Sequence, residues 1–181
     1  LLTLKLSPPY SMFDDIDDYT SLTDQEKYKW VEYYKWKFKA TWFSPFTEKL
    51  ILATKTEFGF LGAYNQELGI SPFERFYVGG DGLSGMGYMN DGRELVALRG
   101  YSNNSLSPQT GATIYNKYTA EIRYALSLNP TSTMYALAFL EAGNAWEEFD
   151  NFNPFGVKRS VGIGVKIMLP MIGMMGLDYG W

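Results

Sequence analysis

Apolar and polar residues alternate with a period of two along most of the chain. In 1–7, Leu2, Leu4 and Leu6 share one side and Thr3, Lys5 and Ser7 the other. In 27–43 the even positions carry Tyr28, Trp30, Tyr34, Trp36, Phe38, Ala40 and Trp42, broken only by Glu32. The odd positions carry Lys27, Lys29, Lys35, Lys37, Lys39 and Thr41. A helix would scatter those lysines around its circumference, whereas a strand gathers them on one face. The same pattern covers 49–64, 112–128, 157–169 and 172–181, while 134–146 is more apolar on both faces with Glu141 in register with Phe139 and Gly143; together they predict seven strands and no helical segment. Residues 10–26 and 65–111 read as long connections, 147–156 as a medium one. Turns at Ser44-Pro45, Asn129-Pro130 and Pro170-Met171 are short.

Aromatic groups on one face and lysines on the other suit a sheet between lipid and an aqueous lumen, with Trp30, Tyr34, Trp36 and Trp42 expected at the membrane interface. A lysine-protected edge of a soluble sheet is the alternative. Short turns on one rim and longer loops on the other favour an all-β fold, a transmembrane antiparallel up-and-down β-barrel. A spanning sheet has to close, because lipid offers no partners for free edges. Seven strands with two open edges are therefore expected to be a partial barrel. A start in mid-pattern without Met fits a piece of a larger protein.

Composition narrows the chemistry. Aromatic residues make up 17% of the chain, which supports the two-faced strands. With Cys 0 and His 0, disulfides, thiolate metal sites and Ser-His-Asp or Cys-His hydrolysis are excluded within this chain. A net charge of -4 without a basic block gives no reason to expect a nucleic-acid partner. No apolar run reaches the roughly 18 residues a spanning helix needs. Asp14, Asp15, Asp17 and Asp18 lack the glycine spacing of an EF-hand loop and read as a solvated turn. Gly80-Asp81-Gly82-Leu83-Ser84-Gly85 matches G-x-G-x-x-G literally, but it does not join a strand to a helix, so it reads as a loop whose glycines permit close packing. No enzyme activity, cofactor or metal is expected.

One group of charges stands out. Glu121 and Glu141 fall on neighbouring strands and on the same side. Two close carboxylates suit acid/base chemistry of the glycosidase kind, or a cation held between them. Arg99, in the long loop, is the candidate cation, because a guanidinium bridges two carboxylates with its fork of donors.

The motifs in order add a resemblance. Phe76-Tyr77-Val78-Gly79-Gly80 followed by Leu98-Arg99-Gly100-Tyr101 resembles the F-Y-x-G-G and V-R-G-F elements of the sixth extracellular loop of BamA-type outer-membrane assembly factors, in the Omp85 superfamily. Ala120-Glu121-Ile122 resembles the acidic site on the following strand, and Leu140 to Trp146 the acidic x-G-x-x-W element on the next. Leu98 stands where the family has Val, Tyr101 where it has Phe, and the interval from Gly80 to Leu98 is longer. The resemblance implies that the chain corresponds to the ninth to fifteenth strands of a sixteen-stranded barrel, without the early strands, the periplasmic domains and the last strand. It implies an inward-folded loop over 65–111, marked by Gly79 and Gly80 and docked through Leu98, Arg99, Gly100 and Tyr101 onto Glu121 and Glu141. It further implies a core insertase in the outer membrane of a Gram-negative bacterium, working without cofactor or covalent chemistry. Its partners would be outer-membrane lipids, nascent barrel proteins and accessory lipoproteins or periplasmic subunits. A two-partner secretion pore or translocation assembly factor of the same superfamily, or an unrelated outer-membrane channel, are the alternatives.

Overall fold

The computed structural model describes residues 1–14, 16, 19, 21–82, 93–129 and 132–181. Its strands, in chain order, are β1 (Leu2–Leu6), β2 (Tyr34–Pro45), β3 (Leu50–Gly62), β4 (Phe76–Val78), β5 (Glu94–Val96), β6 (Ile114–Asn129), β7 (Ser132–Trp146), β8 (Lys158–Leu169) and β9 (Gly173–Gly180). Seven of them form one antiparallel sheet in the order β1-β2-β3-β6-β7-β8-β9, an up-and-down meander with β1 and β9 at its open edges. Among the described residues no helix is long and apolar enough to cross a membrane, which says nothing against crossing with strands.

The register sorts the two faces as alternation predicts. Lys35 pairs with Leu61, Lys37 with Gly59 and Lys39 with Glu57; the same side continues through Lys117, Glu121 and Arg123 to Glu141 and Ser160. The segment between β3 and β6 covers this side, which we call inner. Trp36, Phe38, Trp42, Ile122, Tyr124, Leu140, Ile163 and Leu177 point to the other side and stay exposed. A sheet with its large apolar side chains outside and its charges inside is the inverse of a soluble sheet, and it fits a lipid-facing wall.

Two expectations are corrected. The strand expected over 27–43 begins only at Tyr34, and a helical segment is present: α1 (Asp24–Lys27) is one turn of helix. Its cause is local. Thr23-Asp24-Gln25-Glu26 is a capping box, in which the Thr23 N–H and hydroxyl donate to the Glu26 carboxylate at 3.2 and 2.7 Å. Glu32, the one break in the alternation, is buried and accepts from the Ser11 N–H at 2.9 Å and hydroxyl at 2.8 Å. That contact belongs to the β1–β2 connection, so the chain joins the sheet only after Glu32.

The long connection is also more ordered than a bare loop. β4 and β5 pair in parallel, Phe76 with Glu94 through Val78 with Val96. Phe76, Val78 and Val96 of this pair, with Leu98 just after β5, build an apolar plug on the inner face against Leu61, Tyr115 and Ala145. Desolvating these groups attaches the connection to the wall.

Candidate functional site

The plug delivers Arg99. After β4, Gly79 and Gly80 take φ of 124° and 80°, turning the chain so that Gly80 bridges back to Leu98. Leu98 is fully buried, and its methyl group occupies the space where a side chain on Gly143 would begin, 2.8 Å from an ideal Cβ there. The glycine of the acidic x-G-x-x-W element is thus a notch for the residue before Arg99. Gly100 follows with φ of 86°, and a Cβ on it would stand 2.9 Å from the Ser160 Cβ and 3.1 Å from the Trp181 backbone nitrogen. The backbone at Gly100 therefore lies directly on β8 and the residue after β9.

Held this way, Arg99 reaches three strands. Its Nη2 donates to Glu121 Oε1 at 2.6 Å and Glu141 Oε1 at 2.7 Å, its Nε to Glu141 Oε1 at 3.1 Å, and its Nη1 to Asp178 Oδ2 at 3.1 Å. The Arg99 N–H also donates to Glu141 Oε2 at 2.8 Å. The guanidinium lies 3.7 Å from the Phe139 ring centre, a cation–π contact on one face. Burial lowers the proton affinity of Arg99, but the hydrogen bonds and charge of Glu141, then of Glu121, outweigh it and raise Arg99 above its ordinary value. The guanidinium stays charged at every accessible pH.

Each carboxylate has a second cation. Arg123 donates to Glu121 Oε2 at 2.8 and 2.6 Å, Lys117 lies 3.1 Å from Glu141 Oε1, and Lys166 lies 2.8 Å from Asp178 Oδ2. Lys117 also donates to the Ala97 carbonyl, a further link to the loop. Tyr101 donates its hydroxyl to the Arg159 carbonyl at 2.8 Å. Sequence reasoning placed Arg99, Glu121 and Glu141 on one wall, and the structure brings them together. It assigned no role to Asp178, Phe139, Lys117 and Arg123, although alternation put all four on the inner side of their strands.

A second ionic cluster holds the other end of the plug. Lys35 is fully buried and its Nζ lies 3.0 Å from Glu74 Oε2 and 2.7 Å from Glu94 Oε2, donates to the Glu74 carbonyl at 2.7 Å, and sits 4.5 Å from the Phe76 ring centre. Glu74 and Glu94 stand where β4 and β5 begin. Lys5 reaches Glu74 at 3.3 Å and Lys37 reaches Glu94 at 2.9 Å. Burial alone would raise the two carboxyls. Lys35 first, with Lys5 for Glu74 and Lys37 for Glu94, outweighs that and keeps both below the ordinary carboxylate range. The signal in the sequence was the inward lysine row; its partners lie where no periodicity points to them.

The remaining expected residues are placed as follows. Tyr34, Trp36 and Trp42 lie on the outer face of β2, Tyr34 against Phe60 and Tyr64. Trp30 lies off the sheet, stacked on Tyr10 in the β1–β2 connection. Asp15, Asp17 and Asp18, Leu83 to Gly85 of the glycine motif, and Pro130 and Thr131 of a short turn lie outside the described residues. Among the described residues no group of acidic side chains is arranged to hold a metal ion. With every carboxylate of the Arg99 cluster engaged by cations, the cluster is built to hold a loop.

Residues 20–181 match the Omp85 superfamily domain. No curated protein matches the chain. Among solved structures the fold is similar to that of BamA from Haemophilus ducreyi lacking POTRA domains 1-3. The TM-score is 0.60 at 18% identity, over 82% of this chain and 31% of that one. The chain thus spans about a third of the length of that solved chain, itself without POTRA domains 1-3.

Proposed function

Because the chain belongs to the Omp85 superfamily of outer-membrane barrel proteins, we propose that it is part of the barrel of a core insertase, which folds other barrel proteins into the outer membrane of a Gram-negative bacterium. The observation that carries this reading is the inward-docked loop, gripped by carboxylates of β6, β7 and β9 through one guanidinium. The motif on that loop and its acidic partners are those by which the chain resembles BamA-type assembly factors. A wall with aromatic groups outside and charges inside suits contact with outer-membrane lipids.

No covalent step is required of this chain. Its residues position: the plug and the two ionic clusters fix the loop on the wall and fill part of the interior, leaving the outer face to lipid. Nascent barrel proteins are the substrates in this reading, delivered by accessory lipoproteins or periplasmic subunits. The test is reconstitution of the full-length protein in vesicles with an unfolded barrel client, whose folding is followed by its heat-modifiable mobility. Faster folding than in empty vesicles, slowed by Arg99→Ala, is the expected result. Passage of a secreted protein with no effect on client folding would instead mark a translocation pore and overturn the proposal.

A further inference from the structure

The outer face of the seven-stranded sheet carries one charged side chain among the described residues. Register puts Lys35, Lys37, Lys39, Lys55, Glu57, Lys117, Glu121, Arg123, Glu141, Lys166 and Asp178 inside. Arg159, at the start of β8, pairs with Ala142 and shares its outward side; its guanidinium is exposed and has no ion-pair partner among the described residues. A cation on a lipid-facing wall is tolerated near the headgroups and costly at depth. The level of Arg159 is therefore informative.

The structure marks that level. In the row next to Arg159, towards the long-loop rim, Asn116 and Asn144 also face outward, and the β7–β8 connection folds over them. Asn116 Nδ2 donates to the Pro154 carbonyl at 2.9 Å and Asn144 Nδ2 to the Gly156 carbonyl at 2.7 Å. The same connection stacks Phe149 edge-on against Phe60 and Phe152 against Trp146, and leaves Phe155 88% exposed. Polar amides and aromatic rings together on the outside of a barrel are the composition of the membrane–water boundary. Arg159 stands one row inside it, the level at which a guanidinium on a lipid-facing wall would meet headgroup phosphates.

Below the guanidinium the wall is hollowed. The row Arg159, Ala142, Tyr118, Thr56 and the next row Leu140, Ala120, Thr54 line an open cleft of about 400 Å³, with small side chains as its floor and Tyr118 and Leu140 standing beside it. A hollow of this size is in the range of small-molecule sites. It runs from a lone guanidinium towards the apolar middle of the wall, so it fits an amphiphile with one anionic end. The Arg159 backbone is fixed from the inside, where its carbonyl accepts from Tyr101 of the docked loop.

We propose that this cleft is a binding site for a phosphate-bearing membrane lipid, with Arg159 holding the phosphate and an acyl chain lying over Ala142, Ala120 and Thr54. A guanidinium matches phosphate with two parallel donors, which a lipid without phosphate does not offer. The site depends on the outer face being lipid-facing, as in an outer-membrane barrel, and not on the insertase activity.

The experiment uses the full-length protein in detergent and two photo-crosslinking lipids with the same diazirine-bearing chains, phosphatidic acid and diacylglycerol. Labelled positions are mapped by mass spectrometry. Phosphatidic acid is expected to label β6 and β7 around Ala120, Leu140 and Ala142 roughly tenfold more than diacylglycerol. Arg159→Gln is expected to remove that preference while unheated electrophoretic mobility shows an intact barrel. Ala142→Leu, which fills the floor, should displace the label yet keep Arg159. Equal labelling by both lipids, labelling spread over the whole outer face, a cleft protected by a protein segment, or a preference unaffected by Arg159→Gln would each overturn the proposal.

Discussion

Removing the Arg99 side chain tests how the loop is held. Four side-chain hydrogen bonds disappear, two to Glu141 and one each to Glu121 and Asp178. At about 1.5–3 kcal/mol for a bond to a charged group, a simple sum would exceed what a partly solvated cluster delivers. The charge balance decides against the sum. Arg99, Arg123, Lys117 and Lys166 face Glu121, Glu141 and Asp178, four cations against three carboxylates; without Arg99 the count is three against three. Each carboxylate keeps a cation, so none becomes the orphaned buried charge that costs most. Glu141, whose side chain is 2% exposed, also keeps the N–H of residue 99 and Lys117.

The expected effect of Arg99→Ala is therefore a weakening of loop docking by about 3 kcal/mol, or roughly a hundredfold in the undocked population. Hydrogen exchange of the full-length protein in detergent reads this at the amides of Gly79 and Leu98, which donate to the Val96 and Gly80 carbonyls in the docked state. Arg99→Lys keeps the charge and loses the fork, so its exchange should fall between the two. Exchange in Arg99→Ala within about twofold of wild type would refute the ionic account and leave the apolar plug as the whole of the attachment.

Glu141→Gln is expected to loosen the loop more than Glu121→Gln in the same exchange assay, because Glu141 is the more buried and takes both the backbone and side chain of Arg99. Gly100→Ala should cost docking about 1–3 kcal/mol, read as faster proteolysis of the loop, because it combines positive φ with contact to Ser160. Acid should release the plug at its Lys35 end: Glu74 and Glu94 are depressed when docked, so their contribution is complete above the ordinary value of about 4.3 and fades as pH falls through the lower docked values. Exchange near β4 should thus be flat from about pH 8 to about pH 5, after correction for intrinsic rate, and rise below about pH 4. Lys35→Met should speed exchange at Leu98 as well as at β4; an effect confined to β4 would mean that the two clusters let go separately.

The two faces of the wall were legible because a period of two, sustained over ten or more residues, admits one reading. Glu121 and Glu141 each sit on the polar side of their own strand, but they share the inner face because a bulge between Ala125 and Ser127 shifts the β6–β7 register by one residue, a feature no periodicity announces. The pattern misled where it continued by coincidence: Trp30 and Tyr28 extend the alternation of β2 backwards past Glu32, and Glu32 itself, with the capping box at Thr23 and Glu26 before it, signals the break. Strands of three residues such as β4 and β5 are too short to show a period, and a parallel pair offers no hairpin turn to announce it. Lys35 read as one lysine of a cationic face because its partners Glu74 and Glu94 come from that unpatterned segment.

The placement of the two clusters explains why the loop needs charges in addition to an apolar plug. Desolvation of Phe76, Val78, Val96 and Leu98 favours burial on the wall but is nearly indifferent to orientation. A barrel interior offers apolar contact at several heights, so a plug alone would slide. Lys35 binds the starts of both β4 and β5 at once, which fixes the parallel pair against β2. Arg99 binds β6, β7 and β9 at the far end, which fixes the exit of the loop across three further strands. Each cluster is satisfied only when the segment lies at one height and one angle, because a displaced loop would leave Lys35 buried without its carboxylates. Between two such points the plug has no intermediate position in which half its ionic contacts survive, so docking is expected to be lost as a unit.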